Sequence, residues 1–103
     1  HKKIVYKRLT PVGNINMFFL FTNNWFSSKR GVKNDINKDF KLYNSFEDAK
    51  SDKNAWRFCN YDDPGVGFPR DCGKDRLIGG HWMSTSRNRG YGWENWSFKL
   101  KSL

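Results

Sequence analysis

The stretch Asn-Trp-Ser-Phe-Lys-Leu-Lys at residues 95–101 decides the predicted fold, because its side chains alternate between apolar and polar. Successive side chains of a β-strand point to opposite faces of the sheet. The alternation therefore predicts a strand that buries Trp96, Phe98 and Leu100 and exposes Ser97 and Lys99. One face of this strand then belongs to the core, and the other is available to a ligand.

Five further segments carry strand patterns, and they lie at 3–9, 15–22, 39–43, 55–61 and 77–85. The segment 15–22 is an almost continuous apolar run, which is typical of a strand buried on both faces. Residues 86–90 are predicted to form a turn, and the basic, Asn-rich stretch 23–38 a long loop. We therefore expect an all-β fold, an antiparallel sandwich or compact barrel of about six strands with at most one short helix.

The one predicted helix follows Ser45 and has about two turns. The hydroxyl of Ser45 can cap its first turn, and the carboxylates of Glu47 and Asp48 suit the positive end of a helix dipole.

The chain has 103 residues, so residues 1–103 are expected to form a single domain. Aromatic side chains make up 17% of the sequence while aliphatic ones are few, so the core is predicted to be largely aromatic.

The composition is strongly basic, with 19 Lys and Arg against 10 Asp and Glu and a formal net charge of +9. A field of this sign attracts polyanions, which include acidic or sulfated glycans, nucleic acid and anionic membrane surfaces. No apolar stretch approaches the roughly 18 residues of a membrane span, so no transmembrane segment is expected.

Two features predict secretion. The first residue is His1 and not Met, which a removed signal peptide would explain. Cys59 and Cys72 enclose a loop broken by Pro and Gly, and we predict a disulfide between them that stabilises the fold by about 3 kcal/mol. The alternative is two reduced cysteines in a cytosolic protein. The sequence predicts no cofactor and no metal site, because two cysteines without a further Cys or a His cluster do not make a zinc site.

The candidate binding site lies on the exposed face of the last strand. Tyr91 and Trp93 can stack on sugar rings, and Asn95 can hydrogen-bond to hydroxyl groups. Arg forks bind sulfate, carboxylate or phosphate. The set of predicted binding residues is Tyr91, Trp93, Asn95, Arg87, Arg89 and Lys99, with Tyr61 and Asp62 from the disulfide loop as a rim.

This site predicts a secreted basic binding module that recognises glycans or other anionic extracellular surfaces, and its aromatic, Asn-rich β composition resembles that of small lectins. Two observations favour other interpretations: Tyr91 and Trp93 can equally pack inside the protein, and Asn95 begins an Asn-Trp-Ser glycosylation sequon. No catalytic residue is predicted.

Three other functions are compatible with the sequence. A small secreted toxin or nuclease would use His81 with Arg87 and Arg89. A protease inhibitor or membrane-active defence protein would use the Cys59–Cys72 loop, with Arg70 as the inhibitor's anchor, or the net charge. A calcium ion would need several carboxylates, which Asp62, Asp63, Asp71 and Asp75 could supply. Lys29, Arg30, Lys33 and Lys38 form a basic stretch that is expected to be a solvated loop.

Overall fold

A computed structural model describes residues 4–22, 25–26, 31, 33–60 and 72–76. Within these residues the chain forms four short strands and two short helices. In chain order they are β1 (Val5–Arg8), α1 (Met17–Thr22), β2 (Phe40–Tyr43), α2 (Phe46–Ser51), β3 (Phe58–Cys59) and β4 (Cys72–Gly73). The predicted strands at 77–85 and 95–101 and the predicted turn at 86–90 lie outside the described residues.

The first sheet is the antiparallel pair β1–β2, in which Val5 lies opposite Tyr43 and Arg8 opposite Phe40. This confirms strands within the predicted segments 3–9 and 39–43. Alternation places Phe40 and Leu42 on one face, where both are fully buried.

Most of the apolar run at 15–22 forms helix α1, Met17–Thr22, so the prediction of a strand there was wrong. Asn16 begins the helix, because its side-chain oxygen accepts a hydrogen bond from the backbone N–H of Phe19 at 3.0 Å. The buried Leu20 and the half-buried Met17 and Phe21 follow helical spacing and share one face. Phe18 and Phe19 are exposed, which a strand buried on both faces would not allow.

Aromatic rings hold the centre of the described core. Trp25 is buried within the predicted loop 23–38, and its ring meets that of Phe40 edge to face at a centroid distance of 5.1 Å. Trp56 is buried, and its backbone N–H donates to Leu42 O at 2.8 Å, so the segment before β3 lies beside β2. Aliphatic Ile15, Leu20 and Leu42 complete this cluster.

Helix α2 confirms the predicted helix and its cap, because the Ser45 hydroxyl accepts a hydrogen bond from Asp48 N at 3.1 Å. The helix packs against β1 and β2, and its residue Ala49 is fully buried. Tyr43 is buried too, although strand alternation places it on the face opposite Leu42. The first sheet therefore has a core on one side and is partly covered by α2 on the other.

The second sheet is the antiparallel pair β3–β4, in which Phe58 lies opposite Gly73 and Cys59 opposite Cys72. The predicted disulfide joins Cys59 to Cys72 and is confirmed. The described residues thus form a small compact domain of two small antiparallel sheets and two short helices. These four strands do not close into a barrel, and the limit of one helix was wrong. The sandwich of about six strands stays a prediction.

Candidate functional site

The binding residues predicted on the last strand cannot be placed in the fold. Tyr91, Trp93, Asn95, Arg87, Arg89 and Lys99 lie outside the described residues, and so do Tyr61 and Asp62. The same holds for His81 and Arg70, on which the nuclease and inhibitor alternatives depend. Of the site residues predicted from the sequence, the structure describes the disulfide cysteines alone.

A shallow, open groove lies beside this disulfide. It encloses about 360 Å³ and is lined by Asn54, Ala55, Arg57, Lys74 and Asp75. Its volume is at the lower end of the range of small-molecule sites, about 300–1,000 Å³. The residues that line the groove therefore carry two cations, one carboxylate and one amide.

The sheet β3–β4 sets the positions of the two cations. Cys59 lies opposite Cys72, and the two strands run in opposite directions. Arg57, two residues before Cys59, therefore lies opposite Lys74, two residues after Cys72. The backbone N–H of Arg57 donates to Lys74 O at 2.9 Å, so the pairing does extend to these residues. The disulfide thus ties together the two chain segments that line the groove.

Arg57 and Lys74 repel each other, because like charges directly opposite each other in a sheet are destabilising. The charges around them compensate this repulsion only in part. Asp75 forms an ion pair with Arg57, whose side chain is 74% exposed. Such an exposed pair contributes little stability. Among the described residues no carboxylate pairs with Lys74. Positive charge is therefore in surplus in the groove, and Arg76 next to it is also exposed.

A second pair of opposed cations, Lys7 and Lys41, lies in the first sheet. Here Asp52 supplies the counter-charge, with its two carboxylate oxygens 2.9 and 3.0 Å from the Lys41 ammonium. The hydrogen bonds from Lys41 and from the Tyr43 hydroxyl hold the pKa of Asp52 below its usual range. Burial and the Asp52 carboxylate raise the pKa of Tyr43, which keeps its hydroxyl protonated as the donor. One carboxylate thus pairs with one of the two opposed lysines, as Asp75 pairs with Arg57 in the groove.

The guanidinium of Arg8 is used in hydrogen bonds within the fold. Its three guanidinium nitrogens donate to Thr10, Tyr6, Asn34, Pro11 and the backbone oxygen of Lys33. Asn34 is fully buried, so the 3.1 Å bond to its side-chain oxygen pins the loop to β1. Arg8 therefore organises the protein and leaves little for a ligand.

Asp39 belongs to the same buried network. Burial acts to raise its pKa, but the hydrogen bonds from Asp35 N at 2.9 Å and from the Thr10 hydroxyl at 3.0 Å lower it. The charge of Arg8 lowers it further, and the pKa of Asp39 ends below its usual range. Asp39 is thus a structural anion and not a candidate general base.

Neither a metal cluster nor a membrane span occurs in the described part of the chain. No three side chains from His, Cys, Asp and Glu come together there, and three of the four aspartates weighed for calcium, Asp62, Asp63 and Asp71, lie outside it. The two described helices have six residues each, and neither is long and apolar enough to cross a bilayer. In the basic stretch, Lys33 and Lys38 are exposed as expected of a solvated loop.

Sequence reasoning missed Asn54, Arg57 and Lys74, and considered Asp75 only as a calcium ligand. The signal was present for the two cations, because an antiparallel disulfide pairing between Cys59 and Cys72 implies that Arg57 lies opposite Lys74. Asn54 had no such signal, since it reaches the groove through the turn after α2, where its φ is 57°.

Comparison with known proteins adds no relative: no protein-family model, no curated protein and no solved structure matches this chain.

Proposed function

We propose that this protein is a secreted, cationic binding module that recognises acidic extracellular glycans. The observation that carries the proposal is the surplus of positive charge in the groove between Arg57 and Lys74, in a chain whose net charge is +9. An anion bound between two opposed cations relieves their repulsion. An anionic ligand in the groove therefore lowers the electrostatic repulsion between Arg57 and Lys74.

The disulfide supports both the binding and the proposed location. Segments held together by a covalent link lose little conformational entropy when a ligand binds. Disulfides also persist mainly in oxidising environments such as the cell exterior. The Cys59–Cys72 bond is therefore the feature expected of a rigid binding edge on a secreted domain.

The predicted strand at 95–101, together with the residues just before it, contributes a second surface to the proposal. There Tyr91 and Trp93 would stack on sugar rings and Asn95 would bind hydroxyl groups, while Arg87, Arg89 and Lys99 add charge. Tyr61 and Asp62 would form a rim in the disulfide loop. Trp93→Ala is expected to abolish glycan binding without lowering the melting temperature, and a large loss of stability would instead assign Trp93 to the core.

A glycan array, followed by heparin chromatography with a salt gradient, tests the function. We expect the preference for acidic glycans over other polyanions to persist at high salt, because it depends on the shape of the site, while the affinity itself falls as salt screens the exposed charges. Elution by moderate salt without glycan selectivity would contradict the proposal. RNA or DNA cleavage that is lost in His81→Ala would replace it with the nuclease alternative.

A further inference from the structure

The groove beside the disulfide offers hydrogen-bond acceptors as well as cations. Asp75 uses one carboxylate oxygen, Oδ1, for Arg57, and no described residue donates to its other oxygen. Asn54 donates from its amide nitrogen to Asp48 Oδ1 at 3.4 Å, which leaves its carbonyl oxygen facing no described donor. Both residues line the groove together with Arg57 and Lys74.

Most hydrogen-bond donors of Arg57 and Lys74 also have no acceptor within the described part of the chain. Arg57 uses Nη2 for Asp75, while Nε and Nη1 have no described acceptor. The ammonium of Lys74 likewise has none. Each of these groups can donate a charge-assisted hydrogen bond to an oxyanion.

A ligand that satisfies this set carries an anionic group next to hydroxyl groups. The anion accepts from Arg57 and Lys74, and the hydroxyls donate to Asn54 and Asp75. A bare polyphosphate offers oxygens but no hydroxyl donors, and the carboxylate of Asp75 repels it. A neutral sugar offers hydroxyls but leaves the two cations without a counter-charge.

We propose that this groove binds one acidic sugar residue of the glycan, a ring that bears a carboxylate or a sulfate beside free hydroxyl groups. The inference rests on the proposed function and assigns the recognition to four side chains. Arg57 and Lys74 bind the acidic group, Asn54 and Asp75 bind the hydroxyls, and Asp75 also orients the guanidinium of Arg57 through their ion pair.

Isothermal titration with four short probes tests this assignment. The probes are a hexuronate oligosaccharide, a sulfated oligosaccharide of similar length, a neutral oligosaccharide and inorganic polyphosphate. Arg57→Ala with Lys74→Ala should weaken binding of at least one acidic oligosaccharide by about tenfold or more, because two charge-assisted hydrogen bonds are lost. The matched control removes the exposed Lys38 and Lys50, which carry the same charge outside the groove. It should change the affinity by less than about twofold.

Asp75→Asn separates the recognition of hydroxyls from simple attraction of charge. This variant should bind polyphosphate as tightly as the wild type or more tightly, since a repelling carboxylate is gone. It should bind the acidic oligosaccharide more weakly, since a charged acceptor becomes a neutral one. The comparison between the hexuronate and the sulfated probe then shows which acidic group the groove prefers.

The outcomes distinguish this inference from the function on which it rests. If the wild type binds an acidic oligosaccharide but the groove variant matches the Lys38 and Lys50 control, the groove is wrong and the function stands. If Asp75→Asn strengthens binding of every anionic probe alike, the hydroxyl recognition is wrong. If the wild type binds no oligosaccharide at all, the function and the groove assignment both fail.

Discussion

Removal of the Cys59–Cys72 disulfide is expected to destabilise the protein by about 3 kcal/mol. The two cysteines are 13 residues apart in the sequence, and a loop of this size restricts the unfolded chain by about that free energy. The sheet β3–β4 has two residues in each strand, and an isolated pair of short strands is marginal in water. The covalent link is therefore a large part of what holds the groove together.

Two perturbations separate the link from the sulfur atoms. Reduction breaks the bond but keeps both sulfurs, including Cys59 Sγ, which accepts from the indole N–H of Trp25 at 2.9 Å. The double substitution Cys59→Ala, Cys72→Ala also removes this acceptor and the fully buried Cys72 side chain. The double variant should therefore be less stable than the reduced wild type, by about 1–2 kcal/mol.

Urea unfolding monitored by tryptophan fluorescence measures both differences. For a domain of this size, a loss of 3 kcal/mol corresponds to a fall in melting temperature on the order of 10–20 °C. The slope of the unfolding free energy against urea should increase on reduction, because the open unfolded chain exposes more surface. A reduced wild type within about 1 kcal/mol of the oxidised protein would refute the chain-entropy reasoning. Equal stability of the reduced protein and the double variant would refute the contribution of the sulfur contacts.

Three further predictions concern the local structure. Leu20→Ala should lower the free energy of unfolding by about 2–5 kcal/mol, and Phe19→Ala by less than about 1 kcal/mol, because helix α1 buries Leu20 and exposes Phe19. Urea midpoints that fall equally in the two variants would contradict the helix. Ser45→Ala should lower the free energy of unfolding by about 1 kcal/mol, because the helix cap is lost. Ser45→Thr, measured in the same way, should keep most of the stability that the cap provides. The stability that Asp52 contributes is present above the ordinary aspartate pKa of about 4 and is lost as the pH falls through its lower folded value. Asp52→Asn should therefore unfold with less dependence on pH in the acid range, and a profile identical to the wild type would show that folding does not lower the pKa of Asp52.

The elements that could be predicted from the sequence depend on interactions within a few residues. Alternation alone located β1 and β2, since the side chains of each strand sort themselves between core and solvent. Ser45 with the acidic residues after it located α2, because the cap is a contact between residues three apart. The spacing of Cys59 and Cys72, with Pro and Gly between them, was enough to predict the disulfide.

The apolar run at 15–22 shows where local pattern is ambiguous. A continuous apolar segment suits a buried strand or a helix equally well. The hydrogen bond from Phe19 N to the Asn16 side chain and the packing of Leu20 against the core select the helix. The spacing of Met17, Leu20 and Phe21 was visible in the sequence, but which apolar residues would be exposed was not.

By itself, then, the sequence determined the net charge, the aromatic core, the two central strands, the second helix and the disulfide, because each is a property of composition or of close neighbours along the chain. Tertiary structure alone decided that Tyr43 of β2 is buried on the face that α2 partly covers. It also decided that Asn54 and Asp75 lie beside Arg57 and Lys74 in one groove. The groove joins residues about 20 apart in the chain, and both features depend on how the sheets, helix and turns pack together.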